Sequence, residues 1–278
     1  MRSHSSAGTP TPTPSSTPAK SDSLESLLFP KKSLSSWSTA DGVDNQVPLS
    51  DATFRLTSSI KELTHKYVDF EGKKAMQAHY PEGSYNFQHE PRGGISFYAP
   101  GPSNVDLTSA KEATFGYSVW FPEGFEFNMG GKLPGLYGGD SDSDATSCSG
   151  GSRSNACQSV RLMWRTDGAG EFYTYLPPEF DANKRVCDVA PKSECNSVYG
   201  ASVGRGSFTF KTGAWTTISE RVKLNDAGQE NGEIELFVEG ESKVYVTGLV
   251  LRDNDAGRLR GIMMQDLLRW FDCRLGFS

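Results

Sequence analysis

The chain is poor in histidine, has no apolar run long enough to cross a bilayer, and carries no excess of positive charge. Its four histidines are His4, His65, His79 and His89. None falls in the 159–177 hairpin or the glycine-rich segment around Lys132 treated below, so imidazole acid–base chemistry has no obvious seat there. No stretch approaches the roughly 20 apolar residues of a membrane-spanning helix. The N-terminus also lacks the apolar segment of a secretory signal. The net charge of −6 argues against a nucleic-acid partner, since phosphate binding needs a basic surface. It leaves room for a polyanionic sugar in a locally positive cleft. Metal and phosphate motifs are missing too. "GGDSDSDAT" at 138–146 fails the calcium-loop spacing, with Ala145 at its glycine and Gly151 at its closing glutamate. "GGKLPGLYGG" at 130–139 lacks the phosphate-loop spacing. No metal or cofactor is expected.

What the chain does have is glycine (29), proline (15) and 11% aromatics spread over 278 residues. Residues 1–22 are rich in Ser, Thr and Pro and read as a disordered tail. Residues 23–50 read as a lead-in, 51–265 as one main domain and 266–278 as a separate C-terminal segment. Strand signals dominate after residue 70, among them "KAMQAHYP", "GGISFYAP", "ATFGYSVWFP", "GSFTF", "WTTISERVKL", "GEIELFVEG" and "KVYVTGLVLR". Many strands with turn-rich links argue for an all-β sandwich or jelly roll. The glycines of "GGKLPGLYGG" are read as a loop that carries Lys132 into a cleft. The segment 179–198 is long for a hairpin connection and reads as a lid or a surface excursion.

Five cysteines are present, and none has zinc-finger spacing. Four of them allow three pairings. Two short loops, Cys148 with Cys157 and Cys187 with Cys195, are favoured, leaving Cys273 over. Disulfides point to an oxidising, extracellular setting.

The segment "SVRLMWRTDGAGEFYTYLP" at 159–177 alternates around a "DG" hairpin signal. Its even positions, Val160, Leu162, Trp164, Phe172 and Leu176, form an apolar face. Its odd positions gather Ser159, Arg161, Met163, Arg165, Glu171, Tyr173 and Tyr175. A turn centred on Gly168 would set Arg161 opposite Tyr175 and Met163 opposite Tyr173. Burial of the even face fixes which side is which, because a one-residue slip exchanges the two faces.

With "FPEGFEFNMGGKLPGLYGG" at 121–139, "YPEGSY" at 80–85, "GGISFYAPGP" at 93–102 and "RGIMMQ" at 260–265, this hairpin resembles polysaccharide lyase family 14, which includes alginate and glucuronan lyases. The resemblance covers about residues 70–265. It implies a β-jelly roll with a substrate cleft on a concave sheet. It also implies cleft residues at Lys132, Ser159, Arg161, Tyr173 and Tyr175. Arg165, Glu171 and Tyr137 are further candidates for substrate contact. After "GIMMQ" the sequence departs from the family pattern and reads "DLLRWFDCRLGFS", an altered or truncated C-terminus.

The chemistry such a family implies is β-elimination on an acidic polysaccharide. The C5 proton is removed and the C4 oxygen expelled. Arg161 and Lys132 would neutralise the uronate carboxylate where charge develops, and Ser159 would add a hydrogen bond. Without a histidine, one tyrosine must act as base. Two cations would have to lower its pKa from about 10 towards 7. Tyr175 is preferred on the register above. A monomer acting on an acidic polysaccharide, with no nucleic acid or membrane partner, is the expectation. A non-catalytic protein that binds acidic carbohydrate is the alternative. A glycoside hydrolase would need paired carboxylates, and on the odd face only Glu171 qualifies.

Overall fold

The computed structural model describes residues 23–85, 87, 89–268 and 273–277. The expected tail at 1–22 lies outside the described residues. Two short helices, α1 (Leu24–Leu28) and α2 (Asp51–Phe54), precede the sheets. Each begins at a serine, Ser23 or Ser50, whose hydroxyl accepts a backbone N–H of the first turn.

The strands follow in chain order as β1 (Lys66–Phe70), β2 (Lys73–Tyr80), β3 (Ile95–Ala99), β4 (Glu112–Trp120), β5 (Gly131–Gly139), β6 (Cys157–Trp164) and β7 (Ala169–Tyr175). After these come β8 (Ala201–Thr209), β9 (Trp215–Lys223), β10 (Gly232–Val238), β11 (Glu241–Leu249), β12 (Arg258–Leu268) and β13 (Cys273–Phe277). They form two antiparallel sheets, ordered β1-β2-β13-β4-β9-β10-β11 and β3-β12-β5-β6-β7-β8. The all-β sandwich expected from the sequence is the observed fold. β13 lies between β2 and β4, so a last strand forms from the divergent C-terminal sequence.

The core lies between the sheets, and strand alternation fills it. β4 contributes Ala113, Tyr117 and Val119, β9 contributes Ile218 and Val222, and β6 contributes Val160, Leu162 and Trp164. Each large apolar side chain buried this way is worth about 1.5–3 kcal/mol. The end of the β6–β7 hairpin is pinned by aromatic rings. Trp164 and Phe121 meet edge to face with centroids 5.1 Å apart, and Phe125, Phe127 and Phe210 surround Phe121.

Two sequence readings are corrected here. "GGKLPGLYGG" is the interior strand β5, paired on one side with β6 and on the other with β12. Its glycines serve close strand approach instead of a loop: a Cβ on Gly135 would sit 2.0 Å from the Val160 carbonyl oxygen. The hairpin register also differs by two residues. Arg161 is opposite Tyr173, and Ser159 is opposite Tyr175. The turn centres on Asp167, with Asp167 at φ 60° and Gly168 at φ 75°. A shift of two preserves which face each side chain occupies.

Two carboxylates sit in this core, Glu220 of β9 and Asp266 of β12, both fully buried. Burial pushes Asp266 up to about 8, with Tyr80 as its polar neighbour. Burial also raises Glu220 well above the usual carboxylate range. Between the unfolded value near 4 and the folded value, the unfolded chain releases a proton that the folded protein keeps. Stability therefore falls as pH rises through this window. Urea denaturation from pH 4 to 8 should show a loss that shrinks in Asp266→Asn, by at most about 5 kcal/mol. Parallel pH profiles for the two proteins would contradict this.

Candidate active site

The outer face of the six-stranded sheet, turned away from the core, collects the odd-numbered hairpin residues. Ser159, Arg161, Glu171 and Tyr175 are fully buried, Tyr173 is nearly so and Lys132 is half-buried. This face is thus roofed, whereas the sequence pattern alone would allow an open surface.

The roof is the turn at 146–151, tied down by the Cys148–Cys157 disulfide. The Ser159 hydroxyl donates to the Cys148 carbonyl at 3.0 Å. The Gly151 N–H donates to the Tyr175 hydroxyl oxygen at 3.2 Å. Tyr98 of β3 donates to the Thr146 carbonyl at 3.1 Å. From the other side comes Gly200, where a Cβ would lie 2.7 Å from the Tyr175 ring. The second disulfide, Cys187–Cys195, closes the other short loop favoured from sequence. Within the 179–198 segment Ala182, Asn183 and Val186 are buried against the sandwich, and Asn183 donates to the carbonyls of Pro177 and Val250, while most of the remainder is exposed.

Under the roof the polar groups converge. The Lys132 ammonium lies 5.4 Å from the Tyr173 ring centroid. The Arg161 guanidinium lies 6.0 Å from Tyr173 and 5.9 Å from Tyr175. The two tyrosine rings are 5.8 Å apart and edge to face. Arg161 is nearly equidistant from both rings, so the register gives no ground for preferring Tyr175. The guanidinium has few protein partners. Nη1 reaches Gln265 at 3.4 Å, while Nε and Nη2 are buried with no hydrogen-bond partner among the described residues. Burial lowers its pKa, and the nearby tyrosines and Glu220 oppose that shift.

The further candidates fall in different places. Glu171 has both oxygens engaged: Arg165 at 2.6 Å on one, Arg205 at 2.8 Å and Ser202 at 2.5 Å on the other. It orders two arginines and is not poised for acid–base work. Arg165 also lies 6.0 Å from the Tyr173 ring. Tyr137 stacks edge to face on Tyr98 at 4.8 Å, and burial pushes its pKa up to about 12. Sequence reasoning missed Tyr98, Arg205 and Gln265, which come from β3, β8 and β12. Among these residues Lys132, Arg161, Arg165 and Arg205 face Glu171 and Glu194, the latter 3.5 Å from Arg205. The face is locally positive on a protein of net charge −6.

The expected lowering of a tyrosine pKa towards 7 is not seen at Tyr173. Burial, with Tyr175 as its neighbour and hydrogen-bond partner, pushes Tyr173 up to about 12, although Arg161 pulls the other way. Desolvation disfavours the phenolate more than one cation favours it.

Residues 69–268 match the family model described as polysaccharide lyase 14. The chain belongs to the polysaccharide lyase 14 family. It is 31% identical to the crystal structure of a PL-14 alginate lyase from Aplysia kurodai, with a TM-score of 0.70 over 82% of this chain and 90% of that one. It also shares its fold with an alginate lyase from Chlorella virus, at 21% identity and a TM-score of 0.68 over 82% and 91% of the two chains. No curated protein matches the chain in sequence. The fold of this family member is thus a lyase jelly roll, with the polar hairpin on its outer face.

A difference titration of wild type against Tyr173→Phe, followed by phenolate absorbance, should show no group removed below pH 10. Loss of a phenolate that titrates near neutrality would contradict the burial effect.

Proposed function

We propose that this lyase acts on an acidic polyuronide of the alginate or glucuronan type, by β-elimination in the site around Arg161. The observation that carries the reading is the Arg161 guanidinium. It is fully buried, lies about 6 Å from each of two tyrosine rings, and has Nε and Nη2 without hydrogen-bond partners among the described residues. A charged fork held this way suits a planar carboxylate that arrives with the substrate. The 31% identity to an alginate lyase over most of both chains supports the same substrate class.

The steps follow from the arrangement. The uronate carboxylate binds Arg161, which makes the C5 proton more acidic by stabilising the enolate-like charge that develops there. Lys132 adds a second positive charge on the same face. Ser159 holds the roof and lies opposite Tyr175. A tyrosine acting as phenolate takes the C5 proton, the C5–H electrons form the C4–C5 double bond, and the C4–O bond breaks with its electron pair leaving on the oxygen. The departing oxygen takes a proton from a tyrosine hydroxyl. Tyr175 is assigned as base, because its oxygen already accepts the Gly151 N–H and neighbours the Tyr173 hydroxyl. Tyr173, held protonated by burial, is assigned as donor to the leaving group. Arg165 and Arg205 extend the positive strip towards neighbouring sugar units. The protein is proposed to act as a monomer, and two disulfides suit an extracellular enzyme.

The test is new ultraviolet absorbance from the C4–C5 double bond on incubation with a panel of polyuronides. Arg161→Ala should lower kcat/KM by about 10³-fold or more. Tyr175→Phe should lower kcat by about 10²–10⁴-fold, and Tyr173→Phe by less. Saturable binding by well-folded wild type, with no new absorbance on any polyuronide, would replace this reading with a carbohydrate-binding one.

A further inference from the structure

Lys132 and Tyr137 share the outer face of β5, although they are five residues apart. Regular alternation would put them on opposite faces. Their partners show how: Lys132 is opposite Met163, and Tyr137 is opposite Ser159, four residues apart on β6. One extra residue is taken up between Leu133 and Gly135, where the register shifts. That residue is Pro134. A proline cannot donate to a ladder, so an interior strand accommodates it at a bulge. Without the bulge, and with Tyr137 still opposite Ser159, Leu133 would face the site. Lys132 would then point into the core.

The bulge is held from the opposite sheet. The Leu136 N–H donates to Glu220 Oε1, and the Tyr117 hydroxyl donates to the Pro134 carbonyl at 3.1 Å. Both side chains are buried, on the neighbouring strands β4 and β9. A carboxylate in this core is disfavoured unless something needs it. An apolar residue at 220 would leave the Leu136 N–H without this acceptor.

We propose that Glu220 is a positioning residue for the lyase reaction: from the opposite sheet it fixes the Pro134 bulge and so keeps Lys132 on the same face as Arg161. Tyr117 is the second point of the same clamp. For its activity readout the proposal rests on the function proposed above. Its structural readout does not.

Three variants of the full chain test it. Glu220→Gln keeps an oxygen for the Leu136 N–H, Glu220→Leu removes it, and Tyr117→Phe releases the Pro134 carbonyl alone. Elimination kinetics and amide hydrogen exchange at Leu136 without substrate are measured for each. Glu220→Leu should lower kcat about 100-fold, as expected for a misplaced reacting group, with KM changed less. Its Leu136 amide should exchange faster. Glu220→Gln should restore kcat to within a few-fold of wild type, and Tyr117→Phe should fall between them on both readouts. Wild-type kcat in folded Glu220→Leu would overturn the proposal, as would Glu220→Gln no better than Glu220→Leu. Should Glu220→Leu fail to fold, wild-type kcat and exchange in Tyr117→Phe would overturn it as well. If the wild type eliminates no polyuronide while Leu136 exchange responds as stated, the substrate reading fails and the clamp stands.

Discussion

A buried guanidinium with no counter-charge in contact among the described residues is the constraint on which the rest of the site depends. Arg161 is fully buried, and among the described residues its one side-chain hydrogen bond is a 3.4 Å contact to Gln265. Leaving a charge so poorly partnered is costly in a folded protein. The surroundings offset part of that cost with electron-rich groups, two tyrosine rings about 6 Å away. None of these is a carboxylate in contact with the fork. A uronate entering the site would be that missing partner, so binding energy goes to the group whose charge changes in the reaction.

The roof gives this constraint its context. The disulfide-closed turn at 146–151 touches Ser159, Tyr175 and Tyr98 through hydrogen bonds. Ser159, Arg161 and Tyr175 are fully buried there, while Lys132, Arg165 and Arg205 stay partly exposed, and electrostatic interactions strengthen where water is excluded. The same burial holds Tyr173 protonated. In the proposed mechanism the Tyr173 hydroxyl is the donor and the Tyr175 oxygen the acceptor, an assignment made from environment and not from residue type.

Much of this was legible in the sequence, for a simple reason. Alternation over 159–177 determines faces, and the buried set Val160, Leu162, Trp164, Phe172 and Leu176 is as expected. Faces survive a register error of two, which is why the polar set stayed together although its cross-strand partners differed. β5 was not legible as a strand because its glycines and Pro134 argue against one; only the bulge and its partners on the opposite sheet make the proline tolerable. Tyr98 and Gln265 lie in motifs that carry the resemblance, at 93–102 and 260–265, but like Arg205 they were not singled out, because alternation within one hairpin says nothing of side chains on other strands. They reach the site through sheet order, with β12 and β3 lying beyond β5 and β8 beyond β7. Glu220 was hidden further, on the inner face of the other sheet.

The central claim is that Arg161 seats the substrate carboxylate. A crystal structure of Tyr175→Phe with a short uronate oligosaccharide tests it most directly. The account predicts carboxylate oxygens within about 3 Å of both Nε and Nη2 of Arg161, with Lys132 on the same side of the sugar. An oligosaccharide bound with its carboxylates on Arg165 or Arg205 and Arg161 still unpaired would contradict it.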